Sequence, residues 1–590
     1  MRNKTKGFLA FLAMIVVVQG CLHGGGPASK PCADFTLTIA HLNDSHSHLD
    51  PVESAAFPCG AFDARLQMGG IARVKTAVDA LRDREKNLLF LHAGDALQGT
   101  LYFVRYLGEA DAELLNLIGL DAMTLGNHEF DRGTAVTGRF VSAVRFPIVS
   151  SNIDVSGDPN LRGRIAPYVV KSLGDEKVAV IGAILEETPV ISNPGPDVVF
   201  TDAEAGVERA VRELAGRGVN KVIVLSHQGY REDLKMAREI PGIDVIVGGH
   251  SHTLLGGTAG NRGAFEGIGL RFTPEGDYPT VVQGPTGKRV LVVQAWEWLK
   301  VLGLLKVSFD DAGDVQGYEG EPEVIGGAVM IRDASGGFRA VPETSSPYRN
   351  VLRCLPAAVR IYAEDPVAQM MLSAYAKPIE ILMKTKVARA ATDMIRAENR
   401  GPGPVVADSM RWKTAALARH RCRVAVQNAG GIRADIPAGE ITAGTVYTVL
   451  PFGNTLVVMD LSGRELKAAL EEGADRPYGH DPLRPPPSLY VSGATFRLDR
   501  EAPKGSRISG IMVDDGDGRF IPLTDECLCS VTTNSFIARG GDGNRSFATT
   551  RGYRYDTGFI DAEVFMEYLR QLPEATVIEP AGQRIKAAGF

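Results

Sequence analysis

Five short stretches of this chain concentrate Asp, Asn and His at close spacing. They are Asn43-Asp44-Ser45-His46, Gly94-Asp95, Gly126-Asn127-His128-Glu129-Phe130-Asp131, Ser226-His227 and Gly248-Gly249-His250-Ser251-His252. Oxygen and imidazole donors, with no Cys among them, suit Zn, Mn, Fe or Co in an open catalytic site. Each stretch is weak alone, because a His after a strand is more often a hydrogen-bonded structural residue. Their joint occurrence, each at the end of a strand-like run, is what points to a metal centre. His41 and His92 precede their motifs within strands and read as structural. His48 is closer to the loop and is not expected to be a ligand, and Glu129 reads as structural.

The elements that must hold these residues are legible as apolar runs. Phe35-Thr36-Leu37-Thr38-Ile39-Ala40, Leu88-Leu89-Phe90-Leu91, Lys177-Val178-Ala179-Val180-Ile181 and Lys221-Val222-Ile223-Val224-Leu225 read as buried strands, as do Val245-Ile246-Val247 and Val290-Leu291-Val292-Val293. Helix-like stretches such as Ala203 to Arg217 lie between them. Alternating β and α units imply a layered α/β architecture, in which ligands gather beyond the carboxyl ends of strands. A second region begins near residue 350. Glu364 to Ala391 reads as mostly helical, with a kink expected at Pro378. Another α/β pattern then runs from about 390 to 580, with strands expected at 424–426, 456–459 and 527–533 and a helix at 463–472.

The 590 residues are too many for one core, so two domains are expected. A net charge of −6 gives no reason to expect a nucleic acid polymer as a partner. At the N-terminus Arg2, Lys4 and Lys6 precede an apolar run from Phe8 to Val18, too short to span a bilayer, which reads as a signal-peptide core. Val18-Gln19-Gly20-Cys21 resembles a bacterial lipobox, so a lipid anchor on Cys21 and an exported location are expected, periplasmic or at the outer membrane or cell surface. Gly24-Gly25-Gly26-Pro27 would be the tether. Export makes disulfides possible among Cys32, Cys59, Cys354, Cys422, Cys527 and Cys529, and Cys32 with Cys59 is the pairing expected first.

In their order and composition the five motifs resemble the calcineurin-like metallophosphoesterases, and within them the 5'-nucleotidase/UDP-sugar hydrolase family. The resemblance covers nearly the whole mature chain. It implies a four-layer α/β/β/α metallophosphoesterase domain followed by a C-terminal α/β nucleotide-binding domain. The expected divisions are a signal peptide (1–21), a tether (22–34), the metal domain (35–345), a linker and connecting helix (346–390) and the substrate domain (391–585). It also implies two divalent metal ions, one held by Asp44, His46, Asp95 and His252 and the other by Asp95, Asn127, His227 and His250. Such a pair binds phosphoryl oxygens and activates water. His128 would stabilise the transition state, oriented by Asp131.

The second domain carries its own set. Asn428-Ala429-Gly430-Gly431-Ile432-Arg433, Pro451-Phe452-Gly453-Asn454 and the run Asn534 to Gly543 resemble the family's substrate motifs, with Ala429 where a Gly is usual. The resemblance implies that Phe452 and Phe536 sandwich a base, Asp542 holds the ribose, Arg433 meets phosphate, and Asn428 and Asn454 make polar contacts. Arg396 or Arg400 is the candidate second phosphate arginine, in a stretch where Pro404 replaces the usual Asn. The expected reaction is removal of the 5'-phosphate from nucleoside monophosphates, with UDP-sugars or NAD as further substrates. A 2',3'-cyclic-nucleotide phosphodiesterase/3'-nucleotidase is the first alternative, and a nucleotide-binding surface lipoprotein without turnover is the second.

Overall fold

The computed structural model describes residues 35–587 apart from 55, 61, 257–273, 321, 334–335, 397–400, 475–488 and 579–583. The lipobox, Cys32 and Arg400 lie outside the described residues.

Strands β1 (Phe35–Leu42), β2 (Leu88–His92) and β3 (Ala122–Thr124) run parallel as neighbours in one sheet. Strands β4 (Glu176–Ile184), β5 (Val222–His227), β6 (Val245–Gly248) and β7 (Arg289–Val293) run parallel in a second. Strand β8 (Val301–Phe309) returns to the first sheet, antiparallel to β1. The period-two alternation of a strand decides what each face meets. Leu37, Ile39, Leu89 and Leu91 share a core with Val178, Ile223, Val245 and Leu291 of the other sheet. Ala40, Leu42 and Phe90 instead face helices α1 (Ile71–Arg84), α2 (Glu109–Ile118) and α3 (Thr134–Ala143). Helices α4 (Ala203–Gly216) and α5 (Tyr230–Glu239) cover the second sheet, which completes the four layers. The α4 sequence explains its helix: the Asp202 carboxylate accepts the Ala205 N–H at 2.7 Å, and Val207, Ala210, Val211 and Leu214 form one buried stripe.

Helix α6 (Pro366–Met383) starts at an Asp365 cap that accepts the Val367 and Ala368 N–H groups. It ends earlier than expected. The 386–390 stretch is strand β9 (Lys386–Ala390), which buries Val387, Ala388 and Ala390 in the second domain's core. The helix continues through Pro378. Its Leu372 packs into the first domain's core, so by packing the helix belongs there.

In the second domain, β10 (Cys422–Asn428), β11 (Thr455–Ser462), β12 (Leu528–Asn534) and β13 (Arg554–Ile560) lie in one five-stranded sheet. β10 and β12 are parallel, and β11 is antiparallel to β12, with Leu456 opposite Asn534. The ends of β10 and β12 and the start of β11 therefore fall at one edge. This register gathers the Asn428–Arg433, Phe452–Asn454 and Asn534–Asp542 segments, distant in sequence, in one place.

The expected Cys32–Cys59 pairing is corrected. Cys59 bonds Cys354, with Cα atoms 5.9 Å apart, and Cys422 bonds Cys529. Cys59 ends a short strand packed against the helix Ser346–Cys354, a proximity that sequence separation conceals. Among the described residues no helix is long and apolar enough to cross a membrane.

Candidate active site

All five motifs sit at the carboxyl ends of β1, β2, β3, β5 and β6. The structure brings their side chains together in two groups: Asp44 with His46 and His252, and Asp95 with His227 and His250. Asp95 joins them, since its Oδ2 lies 3.1 Å from His227 Nε2 and 3.8 Å from His46 Nε2. Asn127 Oδ1 lies 3.1 Å from His250 Nδ1. The backbone is bent to achieve this. Asp44, His46, Asp95, His250 and His252 all have positive φ, between 48° and 71°. Such conformations cost about 1–3 kcal/mol each and cluster at functional sites. Close approach matters too: a Cβ on Gly126 would lie 2.2 Å from Asp95 Oδ1 and 2.6 Å from His227 Nε2.

The donor set fits divalent cations. His227 donates from Nδ1 to the Ala93 carbonyl at 2.7 Å, so its Nε2 offers a lone pair towards the Asp95 carboxylate. That Nε2 is buried and has no hydrogen-bond partner. Two lone-pair atoms 3.1 Å apart require a positive charge between them. Without a cation there the ring would take up a proton instead: burial opposes its charge, yet Asp95 and Asp44 outweigh burial and raise the ring to about 9. On the other side, His252 donates from Nδ1 to Glu297 Oε2 at 2.7 Å, which turns its Nε2 lone pair towards His46 Nε2, 3.0 Å away. Burial works against the Glu297 carboxylate, but His252 and Lys300 hold it down at about 2. It stays ionised and orients the ring, as carboxylates behind metal-binding histidines do.

His128 differs from these. Its Nδ1 donates to Asp131 Oδ2 at 2.6 Å, and Ser192 holds the other Asp131 oxygen at 2.8 Å. Burial opposes the charged ring, but Asp131 and Asp95 overcome it and push His128 up to about 10. Glu129 is structural, as expected, and its work is specific. One oxygen accepts the N–H groups of Ala96 and Leu97, the other those of Asp95 and Gly126. It thus locks two motif loops together. His41 bonds Tyr278 and His92 bonds Ser45, while His48 stacks on Trp298, consistent with none being a ligand.

The second domain's residues also converge. Asn428 donates to Asp542 Oδ2 at 2.7 Å, and Asn534 donates to Asn428 Oδ1 at 2.7 Å. The Arg433 guanidinium lies 5.7 Å from the Phe452 ring centre. Phe452 and Phe536 are 48% and 46% exposed, which removes a core role for both. A Cβ on Gly541 would lie 2.7 Å from the Phe536 ring, so glycine is needed for that ring's placement. Arg396 donates to the Arg433 carbonyl at 3.0 Å and so lies beside it. Asn454 bonds Asp561, through both its carbonyl and its side chain.

A cavity of about 470 Å³ lies between the domains. Asn127, His128 and His250 line it from one side, and Ser535, Arg539 and Arg554 from the other. Sequence reasoning missed Glu297, Ser192 and the two cavity arginines. Glu297 sits in a loop with positive φ at Trp296, Trp298 and Leu299, and no motif marks it.

The model of the family described as "Calcineurin-like phosphoesterase" matches residues 37–254, and that of "5'-nucleotidase, C-terminal domain" matches 382–549. Fold and site together define a metallophosphoesterase, whose architecture implies divalent metal ions. The chain is 34% identical to the 5'-nucleotidase of Rattus norvegicus over 95% of its own length and 92% of the relative's. Among solved structures, the 5'-nucleotidase precursor from Thermus thermophilus is 43% identical, with a TM-score of 0.60, over 94% of this chain and all of that one. The Haemophilus influenzae NAD nucleotidase is 28% identical, with a TM-score of 0.75, over the same shares. The chain belongs to the 5'-nucleotidase family and is a phosphoric monoester hydrolase.

Proposed function

We propose that this enzyme removes the 5'-phosphate of nucleoside monophosphates. The observation that carries this reading is the pairing of a two-group metal centre in one domain with two half-exposed phenylalanines in the other. Asp44, His46, Asp95 and His252 would hold one divalent ion, and Asp95, Asn127, His227 and His250 the other. Zn, Mn, Co and Fe all suit these donors. Such ions supply Lewis acidity to the phosphoryl group and allow water to attack at neutral pH. His128, charged and steered by Asp131, donates a hydrogen bond where negative charge grows on the phosphoryl oxygens. Arg433, with Arg396 beside it, binds phosphate. Phe452 and Phe536 stack on the base, and Asp542, held by Asn428, accepts the ribose hydroxyls. Asn454 positions the Phe452 loop through Asp561. Similarity to an NAD nucleotidase supports pyrophosphate-linked nucleotides as further substrates. The basic, apolar and Gly20-Cys21 signals support an exported enzyme anchored by lipid on Cys21.

The test replaces each ring. Phe452→Ala and Phe536→Ala should raise KM for AMP about ten- to a hundredfold, the cost of a lost stacking partner. Turnover of p-nitrophenyl phosphate at saturation should change little. Equal losses on both substrates, with a lowered melting temperature, would sink the base clamp.

A further inference from the structure

The cavity between the domains has a cationic wall that no role above uses. Arg539 and Arg554 line it opposite His128. Among the described residues neither arginine has a carboxylate within salt-bridge distance. Arg539 is exposed, and among the described residues its guanidinium is anchored through Nε alone, which donates to the Ser535 carbonyl at 3.2 Å and leaves both Nη groups available. Arg554 is fixed in place: it donates to the carbonyls of Ala538 at 2.8 Å and Phe547 at 3.2 Å. Burial and the neighbouring Arg539 charge both depress the Arg554 pKa, so the two guanidinium groups lie close enough to repel each other along this wall. Asp556 offsets part of this by its charge on Arg554, but its oxygens are engaged by Thr455 at 2.8 Å and the Gly558 N–H at 3.2 Å rather than by either arginine. Two guanidinium groups on one wall, neither in a direct ion pair, are a receptor for a compact dianion. Glu186, Glu187, Asp202, Glu204 and Glu232, with Lys235, line the cavity as well, and the excess of carboxylates confines an anion to the arginine and His128 contacts.

We propose that Arg539, supported by Arg554, forms a second phosphate-binding edge facing the metal centre. Its ligand is a phosphoryl group, either released orthophosphate or the non-transferred phosphate of a substrate that carries two. The second source rests on the nucleotidase reading proposed above; the first needs only that the enzyme releases phosphate. Arg539 makes the contact, and Arg554 holds the loop that presents it.

The experiment uses the full, metal-loaded chain. Inorganic phosphate binding is measured by calorimetry, and KM for ADP and AMP by kinetics, in wild type, Arg539→Gln and Arg539→Lys. Loss of a charge-assisted bidentate contact should weaken one of these by about tenfold in Arg539→Gln. Weaker orthophosphate binding assigns the edge to product. A KM that rises for ADP more than for AMP assigns it to the substrate's second phosphate. Arg539→Lys should recover part of either effect, and it remains informative if the Gln variant melts early. Unchanged phosphate binding and an unchanged ADP-to-AMP ratio in a variant of normal melting temperature overturn the proposal. If wild type hydrolyses no nucleotide, the functional reading fails, while calorimetry still decides the phosphate edge.

Discussion

At the scale of residues, His128 shows how environment assigns a role. Its Nδ1 proton is committed to Asp131, so Nε2 is the end left for the cavity that the ring lines. It belongs to neither group of clustered ligands. His128→Ala should therefore keep the metal content of the wild type and lower kcat about 10²–10³-fold, the usual cost of removing one transition-state donor. Metal analysis beside AMP kinetics checks this; loss of metal with the same kcat per bound ion would make His128 a ligand. The proposed ligands were legible in sequence because each lies within a few residues of a strand end, and strand ends are marked by hydrophobic runs. The residues that orient them were not. Glu297 reaches His252 from a loop after β7, and nothing local in Trp296-Glu297-Trp298 announces that contact. Arg539 was hidden inside a motif read for its Phe and Asp.

At the scale of elements, the parallel strands do the positioning, and Asp244 tests how they are tied. It sits just before β6, and its buried carboxylate accepts the Val222 N–H at the start of β5 at 2.8 Å. Burial is the main influence and raises its pKa to about 7, with Asp314 adding to the rise and Lys288 and Lys221 opposing it. The folded pKa is above the unfolded value of about 3.9, so the folded state binds more protons between these limits. Stability from this group is present below about pH 4 and is lost as pH rises through 7, on the order of 2–4 kcal/mol. Melting temperature against pH should fall less steeply from pH 5 to 8 in Asp244→Asn than in wild type. Parallel profiles would show that Asp244 does not carry the dependence. Strand positions were well marked in sequence, since continuous apolar runs of this kind have few other readings. The stretch near residue 386 was not: Val387-Ala388-Arg389-Ala390 suits a helix by propensity, and tertiary burial makes it a strand. The disulfide partner of Cys59 was equally out of reach, 295 residues away.

At the scale of the whole molecule, the proposed function requires the two domains to meet. Gln98 donates to the Gly453 carbonyl at 2.9 Å, beside Phe452, and Arg132 pairs with Glu563. The metal groups thus share a boundary with the substrate loops. Every proposed role, from His128 to the phenylalanines, presupposes that divalent ions fill the two groups joined by Asp95. One measurement tests that directly: AMP turnover and metal content of EDTA-treated enzyme, before and after Mn, Co or Zn is restored, in wild type and Asp95→Ala. Two ions per wild-type chain, activity abolished by EDTA and recovered with metal, and a variant that retains neither ion nor activity are expected if the Asp95 carboxylate serves both ions. Full AMP turnover in metal-free wild-type enzyme would contradict it.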